Sequence, residues 1–301
     1  MLVGMSRMKR FLTLLLVLSA CLSLSAADLS DRCVKDSIRY KGHDRIFWLH
    51  VPDRISPDAP LLVCLHGYGG SACRGNAHLV DLADAHGFVV CYPQGLPDPK
   101  GKPSWNVGYP AQDGWKMDDV GFVAKLVAHL QKRHGLDPRN AFLVGMSNGG
   151  EMCYLMARRQ PDLFAGLISI AGLTLECMTP LHYGRPVPFM EVHGTMDKTS
   201  YWTGDHLNQY GWGAYLSVPA AVSHVVSADG CTSYAREELT AEGKKPVFLH
   251  KYLDGVPARK GKGHACEVWL YEVVGGGHNW ADKEMDTYGE IWKFMDHFMY
   301  R

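Results

Sequence analysis

The sequence predicts an α/β fold with a mostly parallel central sheet covered by helices on both faces, on three observations. From residue 46 onward, short β-rich runs alternate with runs of helical period. Several strand runs, such as 61–65, are apolar throughout, as required of strands buried on both faces. The chain has 301 residues, 47% hydrophobic and 21% charged, the composition of a globular protein with room for one large domain.

Taken in order, 46–51 and 61–65 read as strands, 76–86 as a helix and 88–92 as a strand. Residues 118–134 read as a helix because Val120, Val123, Leu126, Val127 and Leu130 share one face. A strand at 141–144 leads into a helix at 148–159, followed by strands at 167–171 and 187–193. The last third offers a helix-like stretch at 213–227, strands at 247–253 and 268–274, and a closing helix at 286–300. Two long irregular segments interrupt this order. Residues 93–116 carry Trp105, Tyr109 and Trp115, and residues 195–215 carry Tyr201, Trp202, Tyr210, Trp212 and Tyr215. Loops of that length in a compact domain usually serve a site.

The first 27 residues join a basic stretch (Arg7, Lys9, Arg10) to the apolar run 11–18 and then to small residues. This is the pattern of a secretory signal, too short for a membrane span. Ser25-Ala26-Ala27 offers a cleavage site, while Leu18-Ser19-Ala20-Cys21 offers a lipoprotein signal ending before a lipidated Cys21. The remaining 28–301 read as a single catalytic domain, secreted or periplasmic, or held at the cell surface through Cys21. Lys plus Arg equals Asp plus Glu at 31 each, so nothing calls for nucleic acid, and a membrane enters only through that anchor. Eight cysteines lie beyond Cys21 with no C-x-x-C, which gives zinc or redox chemistry little support. Cys64, Cys91 and Cys153 sit in apolar runs and read as buried thiols. Cys231 and Cys266, in polar Gly-containing surroundings, are a candidate disulfide.

The sharpest chemical signal is Gly145-Met146-Ser147-Asn148-Gly149, a β run passing through G-x-S-x-G into a helix. Glycines beside the serine leave room for a tight strand-to-helix turn that projects Ser147 as a nucleophile. A serine needs a base and an orienting acid, expected in the chain order Ser, Asp or Glu, His, each after a strand. Asp197 follows the strand at 187–193, and His278 follows Gly275-Gly276-Gly277 after the strand at 268–274. Among the 15 histidines, His66, His193 and His264 are rivals. The first two read as loop-shaping residues beside glycine and His264 as solvated. The backbone N–H groups of Asn148 and Tyr68, the latter in Leu65-His66-Gly67-Tyr68-Gly69-Gly70, are the expected oxyanion donors. No metal or organic cofactor is required by this chemistry.

With these motifs, together with Tyr92-Pro93-Gln94-Gly95, Asp118-Asp119-Val120-Gly121-Phe122 and His193-Gly194-Thr195-Met196-Asp197, the chain from about residue 40 resembles secreted α/β-hydrolase esterases. The group is the one joining feruloyl and acetylxylan esterases of the first carbohydrate esterase family with polyhydroxybutyrate depolymerase-like proteins. The resemblance implies Ser147, Asp197 and His278 as triad, Tyr68 and Asn148 as oxyanion donors, and a Cys231 to Cys266 bridge. It implies a serine esterase acting on feruloylated or, failing that, acetylated xylan fragments. The aromatic content of the long loops points to an aromatic acyl group, with Trp105, Tyr201, Trp202 and Trp280 as candidate substrate contacts. Polyester members of the group often carry Cys where this chain has Tyr68, and Trp-Pro-Gly where it has Trp280-Ala281-Asp282. A polyester depolymerase is therefore the second expectation, and a non-catalytic carbohydrate-binding protein on the same scaffold the third. Oligomeric state is not legible in one sequence.

Overall fold

The computed structural model describes residues 29–56, 59–258 and 263–301. The signal segment and Cys21 lie outside them. The strands are β1 (Val34–Tyr40), β2 (His43–His50), β3 (Leu61–Leu65), β4 (Val89–Pro93), β5 (Leu96–Pro97), β6 (Pro103–Ser104), β7 (Ala141–Met146), β8 (Gly166–Ile170), β9 (Phe189–Gly194), β10 (Ser233–Glu238), β11 (Val247–Leu253) and β12 (Val268–Val273). The helices are α1 (His78–His86), α2 (Asp119–His134), α3 (Asn148–Arg159), α4 (Val218–Asp229) and α5 (Thr287–Phe298). One ten-stranded sheet runs β1-β2-β4-β3-β7-β8-β9-β12-β11-β10. Its six central strands are parallel, and an antiparallel pair closes each edge. β5 and β6 form a separate small hairpin.

The all-apolar strands feed two cores at once. In β3, Leu61, Val63 and Leu65 face one core, which α2, α3 and α4 cover, while Leu62 and Cys64 face the other, which α1 and α5 cover. Alternation of side chains along a strand makes both faces apolar, so a continuous hydrophobic run is the only sequence that satisfies both.

Three elements differ from expectation. β1 was not visible because VKDSIRY lies on an edge, largely exposed, and its pairing is set instead by the Lys41-Gly42 turn, where φ is 43° and 86°. β10 is exposed along its whole length and carries no apolar alternation. The helix expected from 213 begins only at Val218, where Ser217 accepts a hydrogen bond from Ala220 N (3.4 Å) and Pro219 occupies the first turn.

The Asp118-Asp119-Val120-Gly121 motif locks α2 to the edge hairpin rather than taking part in chemistry. Asp118 caps the helix, accepting from Gly121 N (2.8 Å) and from the Tyr40 hydroxyl (2.7 Å). Asp119 accepts from Arg45 Nη2 (2.6 Å) with both side chains fully buried, and the guanidinium lies 3.6 Å from the centre of the Phe122 ring. Arg45→Met is expected to destabilise the fold by about 3–5 kcal/mol, because Asp119 would keep a buried charge without its partner. Chemical denaturation at neutral pH checks this.

Candidate active site

β7, β8, β9 and β12 are parallel neighbours, so the loops leaving their C-terminal ends share one edge of the sheet. The three residues expected to carry chemistry sit on these loops. Ser147 follows β7 and opens α3 with φ 55° and ψ −119°, a backbone conformation that a side-chain-bearing residue holds only at a cost of about 1–3 kcal/mol. The turn is tight enough to demand its glycines. A Cβ on Gly145 would lie 2.1 Å from the Gly149 carbonyl oxygen, and one on Gly149 would lie 2.5 Å from that of Leu65. The backbone of the serine is held from the next strand, its N–H donating to the Ile170 carbonyl (2.8 Å).

Asp197 and His278 meet as expected. His278 Nδ1–H donates to Asp197 Oδ2 at 2.7 Å, with the carboxylate buried and the imidazole partly exposed. Asp197 Oδ1 accepts from the N–H groups of Thr199 (2.7 Å) and Ser200 (2.8 Å). Burial alone would push this carboxyl up, but the His278 hydrogen bond and charge, with the two backbone donors, hold it below its ordinary value. The loops carrying Asp197 and His278 are laced together by Met196 N to the Gly276 carbonyl (2.9 Å) and Gly275 N to Thr195 Oγ1 (2.8 Å).

The loop after β3 lies against Ser147, a Cβ on Gly67 falling 3.4 Å from Ser147 Cβ. Tyr68 donates its hydroxyl to Asp98 Oδ2 (2.7 Å), which ties the loop to the β5–β6 hairpin, and Gly69 N donates to the Pro103 carbonyl (2.8 Å). Asn148 is the first residue of α3, so its N–H belongs to the helix's unpaired first turn.

His66 shapes this loop, as read from the sequence, but its pairing with Gln94 was missed. His66 donates from Nδ1 to the Gly67 carbonyl (2.7 Å), and its Nε2 accepts from Gly95 N (3.0 Å), which fixes one neutral tautomer. Burial lowers its pKa to about 4. Gln94 braces the same loop, its Oε1 accepting from Ala72 N (2.9 Å). Both residues stood in quoted motifs, His66 beside glycine and Gln94 after Pro93, but nothing in the sequence pairs them.

Glu151, one turn beyond Ser147, is fully buried and accepts the Tyr109 hydroxyl. Burial raises its pKa to about 8, so it is largely uncharged at neutral pH and places little negative charge beside Ser147. In the unfolded chain the same carboxyl ionises near 4.5. The wild type is therefore expected to lose stability relative to Glu151→Gln as pH rises from about 4.5 to about 8, with a constant gap above that. Denaturation midpoints across pH measure this.

The aromatic expectations fare unevenly. Trp105 is fully buried and not available to a substrate: its indole N–H donates to the His66 carbonyl (2.9 Å), and the Asn148 side chain clamps its backbone N–H (2.7 Å) and carbonyl (3.1 Å). It is a wedge under the loop after β3, its indole and backbone taken up by His66 and Asn148. Tyr201 stacks on Tyr210 (ring centres 4.3 Å apart), and Trp202 lies edge-on to His193 (6.1 Å). Trp280 borders a cavity of about 360 Å³ that is also lined by His66, Gly67, Arg74, Tyr92 and Met146. The Cys231 to Cys266 bridge is not formed: both are free thiols, and Cys231 Sγ lies 3.7 Å from the Cys266 carbonyl oxygen. Cys64, Cys91 and Cys153 are buried free thiols, as read from the sequence.

Residues 48–178 match the family described as esterase PHB depolymerase. The chain is 29% identical over 266 residues to a bifunctional acetylxylan esterase/xylanase of Neocallimastix patriciarum, covering 88% of this chain and 35% of the relative. It is 30% identical over 250 residues to poly(3-hydroxyalkanoate) depolymerase C of Paucimonas lemoignei, covering 76% and 57%. A feruloyl esterase B of Neurospora crassa is 31% identical over 134 residues, covering 43% and 44%. The chain thus spans between about a third and somewhat over half the length of these relatives. The fold superposes on an acetyl xylan esterase from Aspergillus awamori with a TM-score of 0.59 at 17% identity, covering 85% of this chain and 98% of that one. The chain is a relative of the acetylxylan esterase, feruloyl esterase and PHB depolymerase group, and its fold is that of the α/β-hydrolase esterases.

Proposed function

We propose that the protein is an exported carboxylic ester hydrolase acting on xylan decorations, feruloyl esters first and acetyl esters second. The observation that carries the reading is the Asp197–His278 hydrogen bond of 2.7 Å at the same sheet edge as a serine held at a strained strand-to-helix turn. His278 removes the Ser147 hydroxyl proton as Oγ attacks the ester carbonyl. The N–H groups of Asn148 and Tyr68 stabilise the oxyanion. His278 then returns the proton to the leaving sugar oxygen as the C–O bond breaks. Water, deprotonated by the same imidazole, attacks the acyl-enzyme and releases the acid. The cavity beside Trp280 is of the size that holds a small aromatic ligand, which supports the feruloyl preference.

Export rests on the apolar run 11–18 and the small residues after it. The polyester reading is favoured by the family match and by the depolymerase relative. Product analysis separates the readings: incubation with feruloylated, acetylated arabinoxylan and with short 3-hydroxybutyrate oligomers is expected to release ferulate. Acetate alone would move the preference to acetyl esters, and 3-hydroxybutyrate alone would overturn the xylan reading.

A further inference from the structure

The catalytic aspartate is backed by a second buried acid and base that the triad does not need. Glu191 and His193 lie two residues apart on β9, hence on the same face, and both are fully buried. His193 Nδ1 is 2.9 Å from Glu191 Oε1, and His193 Nε2 is 2.8 Å from the Ser200 carbonyl oxygen, which can only accept. Nε2 is also 3.6 Å from Asp197 Oδ2, the oxygen that receives the His278 proton donor. Burial pushes the Glu191 carboxyl up, while the His193 hydrogen bond and charge, with the Ser169 and Tyr154 side chains, favour its ionised form.

We propose that Glu191 and His193 form a buried carboxylate–imidazolium pair whose cation positions Asp197 and offsets part of its charge, making both of them positioning residues for the esterase site. Two lines of geometry support this. The Ser200 carbonyl fixes a proton on Nε2, and a carboxylate at Nδ1 favours a second proton there, so both ring nitrogens donate. Burial opposes the charge on His193, yet Glu191, Ser200 and Asp197 together outweigh it and raise its pKa. The imidazolium also holds the turn that carries Asp197, because Ser200 gives its carbonyl to His193 and its N–H to Asp197 Oδ1.

The other titratable groups around the pair are accounted for. On α3, Cys153 and Glu151 act on Glu191 through space and Tyr154 acts on it both through space and through its side chain, and Glu151 is largely uncharged at neutral pH. On β12, Glu272 is level with His193 but is engaged by His250 Nε2 (3.0 Å). His278 is reached only through Asp197. Loss of the cation beside Asp197 leaves the full carboxylate charge acting on His278. That favours imidazolium at His278, so a higher pH is needed to free the base.

The kinetic arm of the test rests on the esterase reading above, and the spectroscopic arm does not. Nitrogen shifts of the wild-type imidazoles are expected to show His193 with both ring nitrogens protonated from pH 5 to pH 8. A His193 with one bare nitrogen at pH 7 would overturn the proposal. Glu191→Gln keeps a side-chain partner for Nδ1 but removes the anion. It is expected to leave His193 neutral and to move the acid limb of kcat/KM upward by about one pH unit. An acid limb that stays in place while kcat falls would mean a merely structural role and overturn the proposal. If Glu191→Gln does not fold, His193→Gln, which keeps an amide donor for the Ser200 carbonyl, carries the same expectation. Absence of ester hydrolysis in the wild type would sink the esterase reading alone, with the nitrogen shifts still deciding the pair.

Discussion

Ser147→Ala is expected to lower kcat for ester hydrolysis by about four to six orders of magnitude while leaving the denaturation midpoint close to that of the wild type. The reasoning is positional. Ser147 supplies the only hydroxyl at the apex of the strand-to-helix turn, with the Gly67 loop against it and α3 beginning at Asn148. Alanine fits the same turn, removes one oxygen and leaves the loop supports in place. Strain at φ 55° remains in the mutant, so the fold neither gains nor loses much. Rates on 4-nitrophenyl acetate, measured beside a denaturation curve of the same preparation, check both halves of this expectation. Substrate binding is expected to survive, because the oxyanion donors and the cavity beside Trp280 are untouched.

The second large effect belongs to Asp197→Asn, expected to lower kcat by about four orders of magnitude. Asparagine is isosteric, and its amide oxygen can keep the two backbone donors of Thr199 and Ser200. Facing His278, however, the amide presents either a donor or a neutral acceptor in place of the carboxylate. The imidazole then loses both the partner that fixes a proton on Nδ1 and the charge that stabilises imidazolium. Because the carboxyl is held below its ordinary value, its contribution to stability is present above the ordinary carboxylate range and is lost as pH falls through the folded value. Asp197→Asn is therefore expected to cost stability at neutral pH and to approach the wild type in strong acid. Rate measurements at pH 7 and denaturation across pH test the two effects separately.

The order of helices and central strands was legible because parallel strands covered on both faces must be apolar at every position, as in β3, β4 and β8. The positions of Ser147 and His278 at loop starts were legible because the glycines around Ser147 and before His278 mark backbone that a side chain would block. Edge elements were not. β1 and β10 are mostly or wholly exposed, and their pairing is determined by turns and neighbours rather than by an apolar face. Burial of single aromatic residues was equally hidden. Trp105 stands in a Pro- and Gly-rich segment that reads as a surface loop, yet its indole and backbone are consumed by His66 and Asn148. A sequence shows that an aromatic is present but not which tertiary partner takes its face. The same limit applies to Cys231 and Cys266, which stand as free thiols with Cys231 Sγ 3.7 Å from the Cys266 carbonyl oxygen. His193 was read as shaping a loop, and its hydrogen bond to Ser200 does so. Its partner Glu191 lies inside an apolar strand run, where a fully buried carboxylate is the feature least expected from pattern alone.

Covalent trapping with an aryl phosphonate ester, followed by mass mapping, tests the nucleophile most directly. The account predicts one adduct per chain, located on Ser147, formed in parallel with loss of ester hydrolysis and absent from Ser147→Ala. An adduct on another residue, or ester hydrolysis that persists in Ser147→Ala at the wild-type rate, would contradict it.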